Sequence, residues 1–267
     1  MALGNLQEEP SAGKPHARIC EGESRMAELL DQPRRPARAL LERAIELDPE
    51  YAEAFSFLAF NHYFDILRGW SDSPAESLAA LSRAAERCIK LDNTHPGGHW
   101  AISWAYSVSG QREQTLRAAS LAVELEPSFA QGHQALGLFL IMTGRHDEGI
   151  AHQEKAIRLS PKSVGTSYYL HCISLGHFGA GRYEESVEWE QRALQRTPDY
   201  WISLGSLTAS YAHLGQMEEA RATLEKMLRA NPAYSDDQFR LIFAIADADY
   251  VERWLGGIRK AGWEAKH

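Results

Sequence analysis

Cysteine is scarce and scattered. The chain has three, Cys20, Cys88 and Cys172, an odd number with no CxxC pair. That excludes a disulfide framework and fits a reducing compartment. Basic residues are in deficit: 28 Lys and Arg against 36 Asp and Glu give a formal net charge of -8. Phosphate-backbone recognition needs a concentrated basic surface, and so does a polybasic membrane patch. Neither nucleic acid nor membrane is therefore an expected partner. Long apolar runs are missing too. The longest lies around Ala135 to Met142, far short of the ~18 residues of a spanning helix. The segment Met1 to Pro10 has neither the basic start nor the apolar stretch of a signal peptide. A cytoplasmic protein is expected.

Catalytic signatures are equally sparse. The sequence contains no GxGxxG, no GxxxxGK[ST] and no GxSxG. The pairs Gly97-Gly98 and Gly256-Gly257 are too short to cradle phosphate. Eleven histidines are present, but none forms HExxH, the spacing that puts two metal ligands and a base on one helix face. His95 and His99 are separated by Pro96, and His146/His152 and His171/His177 are six apart. His99 and His133 lie one repeat apart, as equivalent packing sites would. No cysteine has a histidine partner in the sequence, so a thiol nucleophile is unsupported. The acidic pairs Glu184-Glu185 and Glu218-Glu219 recur at expected helix starts, where carboxylates face the positive end of the dipole. No catalytic residue, metal site or cofactor is expected, and the chain reads as a non-enzyme.

What the sequence does have is a repeat. Glycines recur at Gly110, Gly144, Gly181 and Gly215, in steps of 34, 37 and 34 residues, and Pro127, Pro161, Pro198 and Pro232 move in phase with them. The text after each glycine also repeats: Gly110-Gln-Arg-Glu-Gln-Thr115, Gly144-Arg-His-Asp-Glu-Gly149, Gly181-Arg-Tyr-Glu-Glu-Ser186 and Gly215-Gln-Met-Glu-Glu-Ala220. Glycine tolerates positive φ and ends one helix. Acidic residues open the next, a small residue lets the two helices approach closely, and proline marks the following unit because it cannot continue a helix interior.

This pattern resembles the tetratricopeptide repeat, a helix-turn-helix unit of about 34 residues. The matches are His99, Ile102, Ser103, Tyr106, Ala122 and Pro127 in one unit, and Leu136, Gly137, Gly149, Ala156 and Pro161 in the next. A further unit carries Leu204, Leu207, Tyr211, Ala220, Leu224 and Pro232. The resemblance implies an all-α, right-handed superhelical solenoid of about six antiparallel helix pairs. The units span about 18–51, 52–95, 96–129, 130–163, 164–200 and 201–234, within an array over 16–234. The second unit carries about ten extra residues between its helices near Gly69 to Pro74, and the fifth carries three in its first helix. Residues 1–15 lack periodicity and read as a disordered arm. Residues 235–267 read as a C-terminal helical cap covering the last apolar face.

The family's concave groove is lined by first helices. Trp100 and Trp104 are four apart and share one helix face. The internal pattern uses Ile102, Ser103 and Tyr106, so the two indoles are expected to face the groove. In the same phase follow Gln134, Leu138, Ile141 and Met142, then Tyr168, His171, Leu175 and Phe178; upstream lie Phe60, Tyr63 and Phe64. An apolar, aromatic surface of this kind suits helix-in-groove recognition. The competing expectation is that these side chains pack against neighbouring repeats or the cap. No clamp for acidic chaperone peptides is expected, since Trp, Leu, Phe and Gln occupy the slots where Lys and Asn would stand.

The leading function is a scaffold that binds a protein or peptide in the concave groove. One alternative rests on a narrower resemblance. The long second unit, the long helix before Gly181 and the ending Ile258-Arg-Lys-Ala-Gly262 are similar to the repeat region following the catalytic domain of bacterial class III adenylate/guanylate cyclases. Comparable arrays follow winged-helix domains of transcription regulators. That resemblance implies a regulatory module whose effector domain is not among these residues. The other alternative is a self-associating structural module, a homodimer that closes its own groove.

Overall fold

The computed structural model describes residues 35–67, 70–163 and 165–264. The expected arm over 1–15 and the first half of the unit over 18–51 lie outside the described residues. The described residues form thirteen helices and no strand. They are α1 (Arg35–Leu47), α2 (Ala52–Leu67), α3 (Pro74–Leu91), α4 (Pro96–Val108), α5 (Arg112–Leu125), α6 (Ala130–Met142), α7 (His146–Leu159), α8 (Thr166–Gly179), α9 (Tyr183–Leu194), α10 (Trp201–His213), α11 (Met217–Ala230), α12 (Asp236–Ile242) and α13 (Ala248–Lys260). Five pairs stack in order: α2/α3, α4/α5, α6/α7, α8/α9 and α10/α11. The fold is a superhelical solenoid of helix pairs.

The glycine turns have one geometry. Gly110, Gly144, Gly181 and Gly215 have φ of +71°, +86°, +77° and +76°. Beyond each, an amide reaches back five residues: Gln111 to Tyr106, Arg145 to Leu140, Arg182 to His177 and Gln216 to Tyr211, each at 2.9 Å. This is the Schellman closure, which satisfies helix carbonyls that have no partner within the helix. Five residues past each glycine the small residue is fully buried at Thr115, Ser186 and Ala220. At Gly149 the approach is closest: a Cβ there would stand 2.4 Å from the Gly137 carbonyl oxygen.

The extra residues are placed differently from the sequence expectation. In the second unit they are shared with the helices, α2 having 16 residues and α3 having 18, against 12–14 in the later pairs. In the fifth unit, α8 has 14 residues against 13 in α4, α6 and α10, so most of the insertion lies in the turn before it. Ser73 caps α3 by accepting from the Glu76 amide, with Pro74 in the first turn, where its missing N–H costs nothing.

After α11 the chain folds back across the first helices. Ser235 caps α12. The Asp247 amide then donates to the Met142 carbonyl at the end of α6 (2.9 Å), while its carboxylate pairs with Arg112 at the start of α5 (2.7 Å). Helix α13 continues past the end of α8, where Tyr250 meets Phe178 and Arg253 donates to the Gly179 carbonyl (3.0 Å). It ends lying along α10, with Gly257 against the Ala209 backbone. The buried stripe of α13 is Tyr250, Val251, Trp254, Leu255 and Ile258. Its spacing of three and four residues makes one helix face.

Candidate functional site

The concave side is built by α2, α4, α6, α8 and α10, and it is filled. Trp100 packs on Phe60 (centroids 4.4 Å) and near Phe57 and Phe129; Trp104 packs on Tyr63 (4.4 Å) and Phe139 (4.8 Å). Both indoles are fully buried, at 1% and 0% exposure. The expectation that they face an open groove is therefore corrected. They share one face of α4, but rings from α2 and α6 cover that face. A Trp104→Ala change consequently reports on the fold before it reports on a partner.

The same correction covers the other buried candidates. Tyr63, Gln134, Leu138, Ile141, Met142, His171, Leu175 and Phe178 are buried; Phe60, Phe64 and Tyr168 are half-buried. Two contacts close the groove. The Tyr63 hydroxyl of α2 meets that of Tyr168 on α8, with Tyr200 nearby, so early and late units touch across the interior. Farther along, α12 touches α4, and α13 passes the ends of α6 and α8 and lies along α10. Of the two expectations, packing against neighbouring helices describes the buried ones.

Several polar groups in this interior are paired, whereas the Trp100 and Trp104 indole N–H groups are buried without a hydrogen-bond partner. His171 turns away from the groove and bonds through Nδ1 to Glu190 Oε1 of α9 at 2.7 Å, both buried. Burial raises the Glu190 carboxyl above its ordinary pKa, and His171 opposes that rise. Ser174, Ser186 and Ser210 link α8, α9 and α10 through hydroxyl contacts of 2.8 and 2.9 Å. The Trp254 indole N–H donates to Ser206 at 3.1 Å. The Tyr250 hydroxyl is buried without a hydrogen-bond partner, which costs about 1–3 kcal/mol of desolvation. Glu190 was not singled out from the sequence. Its spacing from Ser186, four residues on along the inward stripe of α9, is the signal that marks it.

Histidines and cysteines serve packing. His133 Nε2 donates to the Pro127 carbonyl (3.1 Å), and one repeat earlier His99 Nε2 makes the matching bond to Asn93 (2.8 Å). With Nε2 protonated, His133 Nδ1 accepts from His152 at 2.8 Å. His95 stands 4.0 Å from Cys88 Sγ, a pairing that the sequence spacing did not offer. It makes no nucleophile: His95 Nδ1 accepts from the Gly97 amide, and burial pushes the Cys88 thiol up to about 12. Burial also pushes the Cys172 thiol well up. Among the described residues no group of three or more His, Cys, Asp or Glu converges as a metal site. No helix among them is long and apolar enough to cross a membrane.

The histidines give a pH prediction. Burial lowers His133 from 6.5 to about 4, with Lys155 and His152 adding to the shift. A depressed folded-state pKa means that the unfolded chain binds the proton more tightly. The stability contribution is thus complete above pH 6.5 and is lost as pH falls towards 4. The slope approaches about 1.4 kcal/mol per pH unit for one such group. Urea midpoints should fall across this window, and His133→Gln should flatten the fall. An identical slope in the variant would place the proton uptake elsewhere.

Comparison with known proteins agrees with this architecture. Residues 130–163 and 177–235 match tetratricopeptide repeat families. Similar folds include PilW, a type IV pilus biogenesis factor, at TM-score 0.56 and 16% identity over 77% of this chain and 88% of that one. TTC0263, a tetratricopeptide protein of Thermus thermophilus, gives 0.53 and 19% over 72% of this chain and 98% of that one. The pilF protein of Pseudomonas aeruginosa gives 0.54 and 11% over 79% and 86%. At these identities the likeness is one of fold. The two matched segments are thus tetratricopeptide repeats, set in a solenoid of helix pairs. Putative adenylate cyclase 3 of Rhizobium meliloti (strain 1021) is 30% identical over 71 residues, which is 27% of this chain and 12% of that protein.

Proposed function

We propose that this chain is a protein-interaction scaffold whose concave side receives an apolar or amphipathic helix from a partner. One observation carries the reading: an amphipathic helix, α13, already lies on the first helices α8 and α10, with Tyr250 on Phe178 and Trp254 on Ser206. The surface formed by α8 and α10 is thus complementary to a helix of this chemistry. On α2, Phe60 and Phe64 pack edge to face and are half-buried.

The test compares two faces of the full chain. Phe64→Ser alters the concave side; Leu121→Ser/Leu125→Ser alters exposed leucines on α5. Capture of a defined partner should weaken at least tenfold with the first variant, both variants remaining folded by circular dichroism. Loss with the second variant alone would move the binding surface to the outer side.

A second reading, a regulatory array attached to an effector domain, is favoured by the 30% identity with the putative adenylate cyclase. An effector domain encoded in frame with this array would support it. An adjoining sequence without one would remove it.

A further inference from the structure

The inference rests on the scaffold reading and concerns what already occupies its site. The segment 236–264 leaves α11 and packs mainly on helices remote in sequence. Asp247 meets Arg112 and Met142, 135 and 105 positions away; Arg253 meets Gly179; Trp254 meets Ser206. Its largest side chain lies in a slot without side-chain bulk: a Cβ on Gly205 would stand 2.4 Å from the Trp254 ring. Gly257 and Ala209 make a second close approach along the same line. The helix lies in its site as a ligand lies in a groove, with an indole anchor, a small-residue seam and polar ties at the ends.

The fit is incomplete in ways that favour exchange. The Tyr250 hydroxyl enters the interior without a partner, and a buried unpaired hydroxyl opposes its own docking. The Arg112–Asp247 tie is half exposed, at 45% and 43%, where ion pairs hold weakly. Arg253 binds a carbonyl, with His213 Nε2 on its own backbone oxygen.

We infer that α13 is a resident pseudo-ligand on the α8–α10 surface, displaced by a partner helix that places an indole over Gly205 and aliphatic side chains one and four residues later. The partner's helix copies the pattern of Trp254, Leu255 and Ile258 and carries an apolar ring in place of the Tyr250 phenol. An occupant must cover the same floor, so a short polar peptide does not serve.

The experiment uses the full chain and a fluorescent peptide of residues 246–264 as the probe, read by anisotropy. Asp247→Ala/Arg253→Ala in the chain loosens the resident helix and leaves the floor intact, and the native peptide can remake both ties. This variant should bind the peptide at least tenfold more tightly than the wild-type chain. Tyr250→Phe in the chain should bind it more weakly than wild type, because the resident then fits better. A Trp254→Ala peptide should not bind. Equal affinity across the chain variants, or no binding by any of them, overturns the exchange. Partner capture sensitive to Phe64 would then still stand, so the two failures are distinguishable.

Discussion

Trp254→Ala should lower the unfolding free energy by about 3–5 kcal/mol, the range for truncating a buried aromatic side chain. The indole is 0% exposed, stacks on Phe239 with centroids 3.8 Å apart, and donates to Ser206. Removing it leaves a cavity over Gly205 that a glycine floor cannot fill by moving a side chain. Trp254→Phe keeps the stacking and should lose less. Urea denaturation measures both. A loss below ~1 kcal/mol for the alanine variant would mean that α13 contributes little to the folded state, contrary to the packing described.

The second large effect belongs to the buried pair of His171 and Glu190. Glu190→Ala should cost about 1–3 kcal/mol, because it leaves the buried His171 ring without its hydrogen-bond partner. Burial pushes the Glu190 carboxyl towards its neutral form, and His171 at 2.7 Å works against that. Glu190→Gln retains a hydrogen-bonding group and should cost less. The joint change His171→Leu/Glu190→Leu should recover much of the loss, since apolar replacements of similar volume are often neutral at buried pairs. A double-mutant cycle isolates the coupling. Additive losses would mean that the two side chains do not stabilise each other.

The turns were legible because each is written twice. Glycine at 110, 144, 181 and 215 marks the reversal, and an in-phase proline marks the next unit. The register of α4 was legible as well: Trp100 and Trp104 do share one side. What covers that side was not. It depends on Phe60, Tyr63 and Phe139 arriving from other units, and no 34-residue period states how tightly a superhelix curls. The placement of 236–264 was hidden for the same reason. An apolar stripe on α13 requires a partner surface without naming it. Glu190 follows Glu184, Glu185 and Glu188, and residue type alone does not separate it from them. Only its place on the Ser186–Glu190–Ala193 stripe sets it apart.

The contact of Tyr63 with Tyr168, and the fold-back of α12 and α13, change how this array comes apart. An open solenoid couples each repeat only to its neighbours, so its ends can melt while the middle stands. Here the second unit is tied to the fifth, and Asp247 is tied to Arg112. Fraying at one end then breaks contacts at the other, and a linear chain of independent steps becomes one cooperative unit. The sequence separation of these contacts also slows folding, because long loops must close before the contacts form. In that respect the molecule behaves as a globule made from repeats.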